Sequence, residues 1–271
     1  MTGDEGFTAV VLAADRQAND PVAVAAGSPC KSLAPVADRP MLLRVLDTLE
    51  ASSEIDTSVL CGPEWALVEQ YRELLERVNH SPRLRWVQPQ ATPSQSARFA
   101  VKDIPPTAPV LLTTADHALL TPRIVDFFCG HARAANYDVI VGLAPRALVE
   151  QAFPGMRRTA YRLSDEAYCG CNLFAFLTPT GRNITTLWQK IEQQRKKPWR
   201  VIHLLGWFLV LRYLTGRLSL QQALDRLSRK TGLRVGAVIL PFPEAAVDVD
   251  SPADLEAVRQ YAMRAHAGSK A

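Results

Sequence analysis

The chain has 271 residues, of which 48% are hydrophobic and 21% are charged. These values are typical of a globular protein with a sizeable apolar core, and they exclude a disordered chain. The formal net charge is only +4, and the basic residues are spread along the chain, whereas a nucleic-acid-binding protein concentrates more positive charge. We therefore expect a single domain over residues 1–271 and no nucleic-acid partner.

The cysteine pattern predicts a reducing compartment. The cysteines are odd in number and form no CxxC pair, so neither disulfide bonds nor the usual zinc sites are expected. The N-terminus has acidic residues before its first apolar run, and it lacks the basic start and the cleavage site of a signal peptide. We expect a cytoplasmic protein. The five cysteines are Cys30, Cys61, Cys129, Cys169 and Cys171.

Strands and helices are predicted to alternate over the first half of the chain. Apolar runs rich in β-branched residues indicate buried parallel strands, and apolar residues at helical spacing lie between them. The predicted strands are 7–14, 57–61, 83–87, 109–114 and 138–143, and the predicted helices are 41–52, 64–78, 94–103 and 122–135. Residues 15–35 are rich in Ala, Asp, Pro and Gly and are predicted to form a loop. This order predicts a Rossmann-like three-layer α/β/α fold with a mainly parallel sheet.

The pattern changes after Pro145. One strand is predicted and then three successive helices, which we interpret as a helical insertion over about residues 178–232 of the single domain. A last strand and a last helix follow it. These elements are the strand 168–177, the helices 180–197, 199–214 and 219–231, the strand 235–240 and the helix 252–265.

The most apolar stretch of the chain is residues 201–214. It is too short to span a bilayer, so no transmembrane segment is expected. The composition favours a buried or half-buried helix. A contact with a membrane surface or with a second copy in a homodimer is the alternative.

Three polar segments lie at the predicted carboxyl ends of strands, where open parallel sheets bind ligands. They are the loop 15–31, the segment 113–117 and the segment 247–252. Mg²⁺ in phosphoryl chemistry is held by one or two carboxylates together with substrate phosphates and water. Asp116 and Asp250 can supply these carboxylates, and Lys31 can supply a positive charge for a triphosphate.

The motifs in these segments resemble those of GT-A-like nucleotidyltransferases. VVLAAD…CKSLAPVADRPML resembles the opening LAAGxGxR…K pattern of that group, and LLTTADHALLTP resembles its metal-binding strand. DVDSPADLEAV resembles the closing element, and TPSQSARFAV the segment that helps to hold the nucleotide. The group includes MobA-like NTP transferases and the sugar-phosphate cytidylyltransferases. The resemblance covers residues 7–143 and 235–262.

The resemblance implies a role for each matching position. Lys31 and Asp116 would be catalytic, and Asp116 and Asp250 would bind Mg²⁺. Asp248 is a rival to Asp250, because the two carboxylates stand two residues apart and would point the same way on a strand. The implied nucleotide-binding residues are Leu12, Ala13, Ala14, Asp15, Arg16, Lys31, Ser94 and Ser96.

One departure concerns the first loop, where Asp15 replaces the family's glycine. An acidic side chain beside a triphosphate is unfavourable unless it faces the metal ion or the ribose. Asp15 has therefore either joined the site or impaired triphosphate binding. The second possibility leaves open a non-catalytic, nucleotide-binding relative.

The segment 168–172 is the candidate acceptor site. Gly170 would let a ligand approach the backbone, and Asn172 could bind an acceptor hydroxyl. An ordinary strand with small buried cysteines is equally compatible with this sequence. Arg157, Arg158 and Arg162 could bind an acceptor phosphate or form a solvated face.

We therefore predict a Mg²⁺-dependent nucleotidyltransferase that moves a nucleotidyl group from CTP or GTP to a phosphorylated small molecule and releases pyrophosphate. A GT-A glycosyltransferase that uses a nucleotide sugar is the second enzymatic hypothesis. It would normally carry a DxD motif after the central strand, and the chain has Asp116, His117 and Ala118 there. A non-catalytic nucleotide-binding protein is the third.

Overall fold

The computed structural model describes residues 5–15, 19–194 and 207–268. It confirms the predicted fold class, because helices cover both sides of a mostly parallel sheet. The sheet has the strand order β10-β7-β9-β6-β1-β4-β5, and β8 pairs with β9 outside this path. β2 and β3 form a separate hairpin. The strands are β1 (Phe7–Leu12), β2 (Pro35–Val36), β3 (Arg39–Pro40), β4 (Ile55–Cys61), β5 (Leu84–Val87), β6 (Val110–Thr114), β7 (Val139–Pro145), β8 (Ala160–Arg162), β9 (Ala167–Phe176) and β10 (Val235–Ile239).

The central strand β1 sets the position of the functional edge. Its apolar residues are almost completely buried because helices lie on both faces of the sheet. β1 pairs in parallel with β4 on one side and with β6 on the other, so Leu12 lies opposite both Cys61 and Thr114. The carboxyl ends of three strands therefore meet at one edge.

Strand β9 runs antiparallel to both of its neighbours, β6 and β7. Its start, Tyr168, pairs with Pro145 at the end of β7, whereas Phe176 pairs with the first residues of β6 and β7. The first half of β9, with Gly170 and Asn172, consequently lies at the same edge of the sheet as the carboxyl ends of β1 and β6.

The helices are α1 (Pro21–Ala26), α2 (Met41–Ala51), α3 (Trp65–Gln70), α4 (Arg72–His80), α5 (Pro93–Val101), α6 (Pro122–Ala134), α7 (Arg146–Ala152), α8 (Ile184–Gln194), α9 (Trp207–Leu214), α10 (Leu220–Thr231) and α11 (Pro252–Gly268). The single helix predicted for 64–78 is two helices, because the chain leaves helical geometry at Tyr71 (φ −103°, ψ 95°). The break allows Trp65, Tyr71 and Leu75 all to pack against the core.

The segment predicted as a loop between β1 and α2 contains the short helix α1. The Asp20 side chain accepts a hydrogen bond from the backbone N–H of Val22 at 2.9 Å, and Pro21 occupies the first helical position. Gly27 ends the helix with φ +60°, a conformation that glycine adopts without strain. This helix takes up 6 residues of the segment predicted as a loop.

The predicted helices of the insertion are present where the structure describes the chain. The first begins at Ile184, after a 3₁₀ turn at Gly181–Asn183, and not at residue 180. A side chain at Gly181 would place its Cβ 2.2 Å from the carbonyl oxygen of Asp138, so this turn packs directly on the sheet. Ser219 caps α10 through its side chain, and Gly232 ends the helix in a left-handed conformation. Residues 195–206, which carry part of two predicted helices, lie outside the described residues.

The apolar stretch 201–214 is described from Trp207 onward, as helix α9. Leu211, Tyr213 and Leu214 are exposed there. None of the helices in the described part of the chain is both long enough and apolar enough to cross a membrane. The contact with a membrane surface or a homodimer partner stays a prediction.

Candidate active site

A cleft of about 900 Å³ opens at the carboxyl ends of β1 and β6. The sequence motifs converge on it from all parts of the chain. Its lining comprises residues 12–15, Asp20, Lys31, Ser32, Cys61, 90–93, Ser96, 112–116, Asn172, Phe174, Trp188, Glu192, Asp248 and Asp250. The structure thus brings together most of the predicted site residues, with Ser94, Gly170 and Arg16 as the exceptions. Arg16 lies outside the described residues.

The Lys31 ammonium lies between the carboxylates of Asp116 and Asp250. Its Nζ donates to Asp116 Oδ2 at 2.6 Å and to Asp250 Oδ1 at 2.9 Å. Burial lowers the pKa of Lys31. The charges and hydrogen bonds of the two carboxylates raise this pKa by more than burial lowers it, so the pKa lies above its ordinary value. The lysine therefore stays positively charged at neutral pH.

The backbone of Lys31 is held by Asp15. The N–H of Lys31 donates to Oδ1 and Oδ2 of Asp15 at 3.1 and 3.0 Å. The pKa of Asp15 is raised, mainly by burial and also by the negative charges of Asp20 and Asp116. The hydrogen bond and the charge of Lys31 lower this pKa but do not reverse the shift. The acidic residue that replaces the family's glycine thus anchors the turn that carries the catalytic lysine candidate.

Asp116 is oriented by its own strand and is linked to the C-terminal segment. The Thr114 hydroxyl donates to Asp116 Oδ1 at 2.5 Å, and the N–H of Val249 donates to the Asp116 carbonyl oxygen at 3.1 Å. The backbone bond fixes the 248–250 segment against the end of β6. Asp116 and Asp250 can therefore reach the same small cation.

The fit of this site to Mg²⁺ follows from its donor set. The two carboxylates that share Lys31 are hard oxygen ligands, and Mg²⁺ usually takes one or two of these and completes its shell with phosphates and water. Within residues 5–15, 19–194 and 207–268, no group of three or more His, Cys, Asp or Glu side chains is arranged to hold a metal ion alone.

Asp248 and Asp250 have different surroundings. The Asp248 carboxylate binds the guanidinium of Arg158, and its Oδ2 accepts from the Asn172 amide at 2.6 Å. Asp250 faces Lys31, and its side chain is 66% exposed. Asp248 is therefore engaged by Arg158 and Asn172, while Asp250 faces the same ammonium group as Asp116.

Arg158 is the least exposed of the three arginines near the candidate acceptor segment. Its side chain is 10% exposed, while Arg157 and Arg162 are exposed. Burial lowers the pKa of Arg158, although the charges of Asp254, Asp250 and Asp116 oppose this. Arg158 is thus a largely buried partner of Asp248 and not part of a solvated face.

The two predicted acceptor residues differ in position. Asn172 lines the cleft, and its backbone is left-handed (φ +48°). Its side-chain amide donates a hydrogen bond to the Asp248 carboxylate. Gly170 is exposed and is absent from the lining, and a Cβ built there would meet no atom within 4 Å. No steric requirement for glycine is therefore visible at position 170.

The two serines of the TPSQSARFAV segment are buried. The Ser94 hydroxyl donates to the Glu192 carboxylate and lies 3.1 Å from the Thr92 hydroxyl. The Ser96 hydroxyl accepts from the N–H of Gln90 at 2.8 Å and lines the cleft. Ser96 thus forms part of the cleft wall, whereas Ser94 lies behind it and holds Glu192. Direct contacts of either serine with a nucleotide stay predictions.

Several cleft residues were not anticipated from sequence. Thr114 stands two residues before Asp116, which is a local signal for an orienting hydroxyl. Trp188 and Glu192 come from α8, in the segment that no motif covered. His117 is 1% exposed within the core, where burial lowers its pKa to about 4. The third position of a DxD motif that began at Asp116 is held by Ala118, which is not a carboxylate.

Comparisons with known proteins agree with this geometry. The MobA-like NTP transferase domain matches residues 9–235, including the segment between the sequence motifs. A hypothetical transferase from Thermus thermophilus is 29% identical, with 92% of this chain and 99% of that chain covered and a TM-score of 0.76. None of the curated proteins matches the chain significantly.

Two further structures share the fold at lower identity. The 4-diphosphocytidyl-2C-methyl-D-erythritol synthase of Anaerococcus prevotii is 14% identical, with 95% of this chain and 96% of that chain covered and a TM-score of 0.57. CMP:2-keto-3-deoxy-manno-octonic acid synthetase in complex with CTP is 13% identical, with 96% and 99% covered and a TM-score of 0.56.

The sheet order, the cleft and these likenesses define a nucleotidyltransferase with the fold of the nucleotide-diphospho-sugar transferases. More specifically, the chain belongs to the MobA-like NTP transferase family.

Proposed function

We propose that this protein transfers the nucleotidyl group of CTP or GTP to a phosphorylated small-molecule acceptor, with Mg²⁺, and releases pyrophosphate. The observation that carries the proposal is the shared contact of Lys31 with Asp116 and Asp250 at the mouth of the cleft. A cation and two carboxylates there suit the binding of a polyphosphate together with a divalent ion.

Asp116 and Asp250 are the residues that would hold Mg²⁺. When bound, the ion supplies charge neutralisation on the triphosphate and on the leaving pyrophosphate. The Thr114 hydroxyl keeps the Asp116 carboxylate in one orientation. The Val249 N–H bond to the Asp116 carbonyl keeps the Asp250 segment close to it.

Lys31 is the residue that would stabilise the negative charge of the transition state. An acceptor phosphate is ionised at neutral pH, so its oxygen attacks the α-phosphorus without a general base. The bond between the α-phosphorus and the bridging oxygen breaks, and pyrophosphate leaves with the electron pair. The Lys31 ammonium offsets the negative charge that develops, and the contact with Asp15 fixes its backbone in advance.

The acceptor is proposed to lie on the side of β9 and the 248–250 segment. Asn172 lines the cleft there and presents an amide next to the Asp248 carboxylate. Gly170 belongs to the same strand and leaves open space beside its backbone. We place the protein in the cytoplasm, where nucleoside triphosphates are present and where its five free thiols would stay reduced.

The test is pyrophosphate release with each NTP, Mg²⁺ and a panel of sugar, alditol and cofactor phosphates. We expect release with CTP or GTP and one acceptor class, abolished by EDTA and by Asp116→Asn. Asp225→Asn, an exposed carboxylate on α10 outside the cleft, is the matched control and should leave the release unchanged. Hydrolysis of a nucleotide sugar without pyrophosphate would indicate a glycosyltransferase instead. Tight NTP binding without turnover over the whole panel would indicate a non-catalytic relative.

A further inference from the structure

The cleft has a phosphate end and a nucleoside end. Asp116 follows β6, whereas residues 90–96 follow β5, on the other side of β1 in the sheet order. If the triphosphate lies at Lys31, as the proposed function requires, the nucleoside extends toward residues 90–96. The far wall at this end is formed by α8.

Helix α8 presents two side chains to the nucleoside end. Trp188 and Glu192 stand four residues apart and therefore share one face of the helix, and both line the cleft. Trp188 also packs against the apolar cluster under the sheet, which restrains its ring. Aromatic rings in such a position stack on any base without regard to its identity.

The Glu192 carboxylate is held in place on one side. Its Oε2 accepts from the Ser94 hydroxyl, and the Ser94 N–H lies 3.4 Å from the same oxygen. The other oxygen, Oε1, has no hydrogen-bond partner in the described part of the chain. Glu192 therefore offers a fixed acceptor at the nucleoside end of the cleft.

An ionised carboxylate can only accept hydrogen bonds, so it distinguishes the bases by their donors. Guanine presents two adjacent donors, N1–H and the N2 amino group, which one carboxylate can accept together. Cytosine and adenine present one amino group next to a ring nitrogen acceptor, which repels the second oxygen. Uracil presents a single N–H between two carbonyl oxygens.

We propose that Glu192 is the base-selecting residue of this enzyme and that it selects guanine, with Trp188 as the stacking surface. The inference rests on the proposed function and narrows its nucleotide from CTP or GTP to GTP. Its structural basis is the juxtaposition of a ring and an oriented carboxylate on α8, opposite the loop after β5.

The test is equilibrium binding of the full chain to GTP, CTP, ATP and UTP with Mg²⁺, by calorimetry. Wild type is expected to bind GTP about ten-fold or more tightly than CTP, the usual discrimination by a two-bond contact to a base. Glu192→Gln should lose this preference and shift it toward CTP, because an amide offers one donor and one acceptor. Glu256→Gln, on an exposed face of α11, is the matched control and should leave all four affinities unchanged.

Ser94→Ala separates base selection from a purely structural contact between α5 and α8. If Glu192 only stabilises the start of α5, both Ser94→Ala and Glu192→Gln lower the melting temperature and leave the GTP-to-CTP ratio as in wild type, which overturns the assignment. Tighter binding of CTP by wild type also overturns it but leaves the proposed function intact. Failure to bind any NTP overturns the proposed function and the assignment together.

Discussion

The Arg158 guanidinium contacts both the carboxylate and the backbone carbonyl of Asp248. One largely buried cation thereby fixes the side chain and the main chain of the residue two positions before Asp250. Asp254 continues the network, because its Oδ2 accepts from the N–H of Asp250 at 3.2 Å and from the Ser251 hydroxyl at 2.8 Å. Asp250 is thus exposed in its side chain but held through its backbone from both sides.

Arg158→Gln is expected to weaken metal binding although it leaves the proposed metal ligands, Asp116 and Asp250, unchanged. The change removes the charge that balances Asp248, so the 248–250 segment loses its fixed position. Loss of such a supporting contact usually lowers metal affinity about 10- to 100-fold. The Mg²⁺ concentration for half-maximal pyrophosphate release should rise accordingly, with a smaller change at saturating Mg²⁺. Arg157→Gln, at the exposed neighbouring position, is the control, and an equal effect there would contradict the role of Arg158.

Lys31→Met is expected to have opposite effects on turnover and on metal binding. Turnover should fall about 10²- to 10³-fold, the usual cost of losing one preorganised electrostatic donor. In the absence of nucleotide, however, the variant should bind Mn²⁺ more tightly than wild type. The reason is that the ammonium no longer competes for Asp116 and Asp250. Mn²⁺ titration monitored by electron paramagnetic resonance measures this, and weaker Mn²⁺ binding by the variant would show that the carboxylates are not the ligands.

Asp15→Gly restores the residue that the family pattern carries, and it tests why this chain departs from that pattern. If Asp15 serves to hold the Lys31 backbone, the variant should lose about ten-fold in turnover, because two hydrogen bonds to one N–H are removed. Asp15→Asn keeps an acceptor and should retain most of the activity. A gain in NTP affinity and turnover in Asp15→Gly would instead show that the acidic side chain impairs triphosphate binding.

The parallel part of the fold could be predicted because it rests on local signals. β1 is a continuous apolar run, and its buried neighbours follow the same pattern. The signals for α1 were also present, as Asp20 before Pro21 and Gly27 at the end, although the composition of the segment favoured a loop. The antiparallel direction of β9 could not be predicted, since a strand's direction depends on its neighbours and not on its own residues.

The site was predictable to the extent that motif residues carry it. Lys31, Asp116 and Asp250 meet as expected because each follows or precedes a recognisable element. The pairing of Arg158 with Asp248 depends on how a loop after α7 folds back, and no periodicity in the sequence reports this. Glu192 was missed because the motifs did not cover its helix, so only packing could place it at the cleft.

Asp138 connects the two ends of the helical insertion to the sheet. It precedes β7, and its carboxylate accepts from the Arg234 N–H at 2.7 Å, from the Arg234 guanidinium at 3.1 Å and from the Thr178 hydroxyl at 3.0 Å. The hydrogen bonds from Arg234 lower the pKa of Asp138 against the opposing effect of burial. A carboxylate with a lowered pKa stabilises the fold above its unfolded pKa, and this contribution is lost as the pH falls through the lowered value.

Asp138→Asn is therefore expected to lower the free energy of unfolding by about 2 kcal/mol at pH 7, the usual range for hydrogen bonds to a charged group. The difference from wild type should shrink as the pH falls from 3.8, the ordinary pKa of an aspartate, toward the lowered pKa of the folded state, because the unfolded wild-type chain then binds a proton that the folded carboxylate does not. Urea denaturation at pH 7 and at pH 3 measures both values. Asp225→Asn, on the exposed face of α10, should show neither the loss at pH 7 nor the pH dependence. An Asp138→Asn deficit that is the same at both pH values would assign the effect to packing and not to the charge.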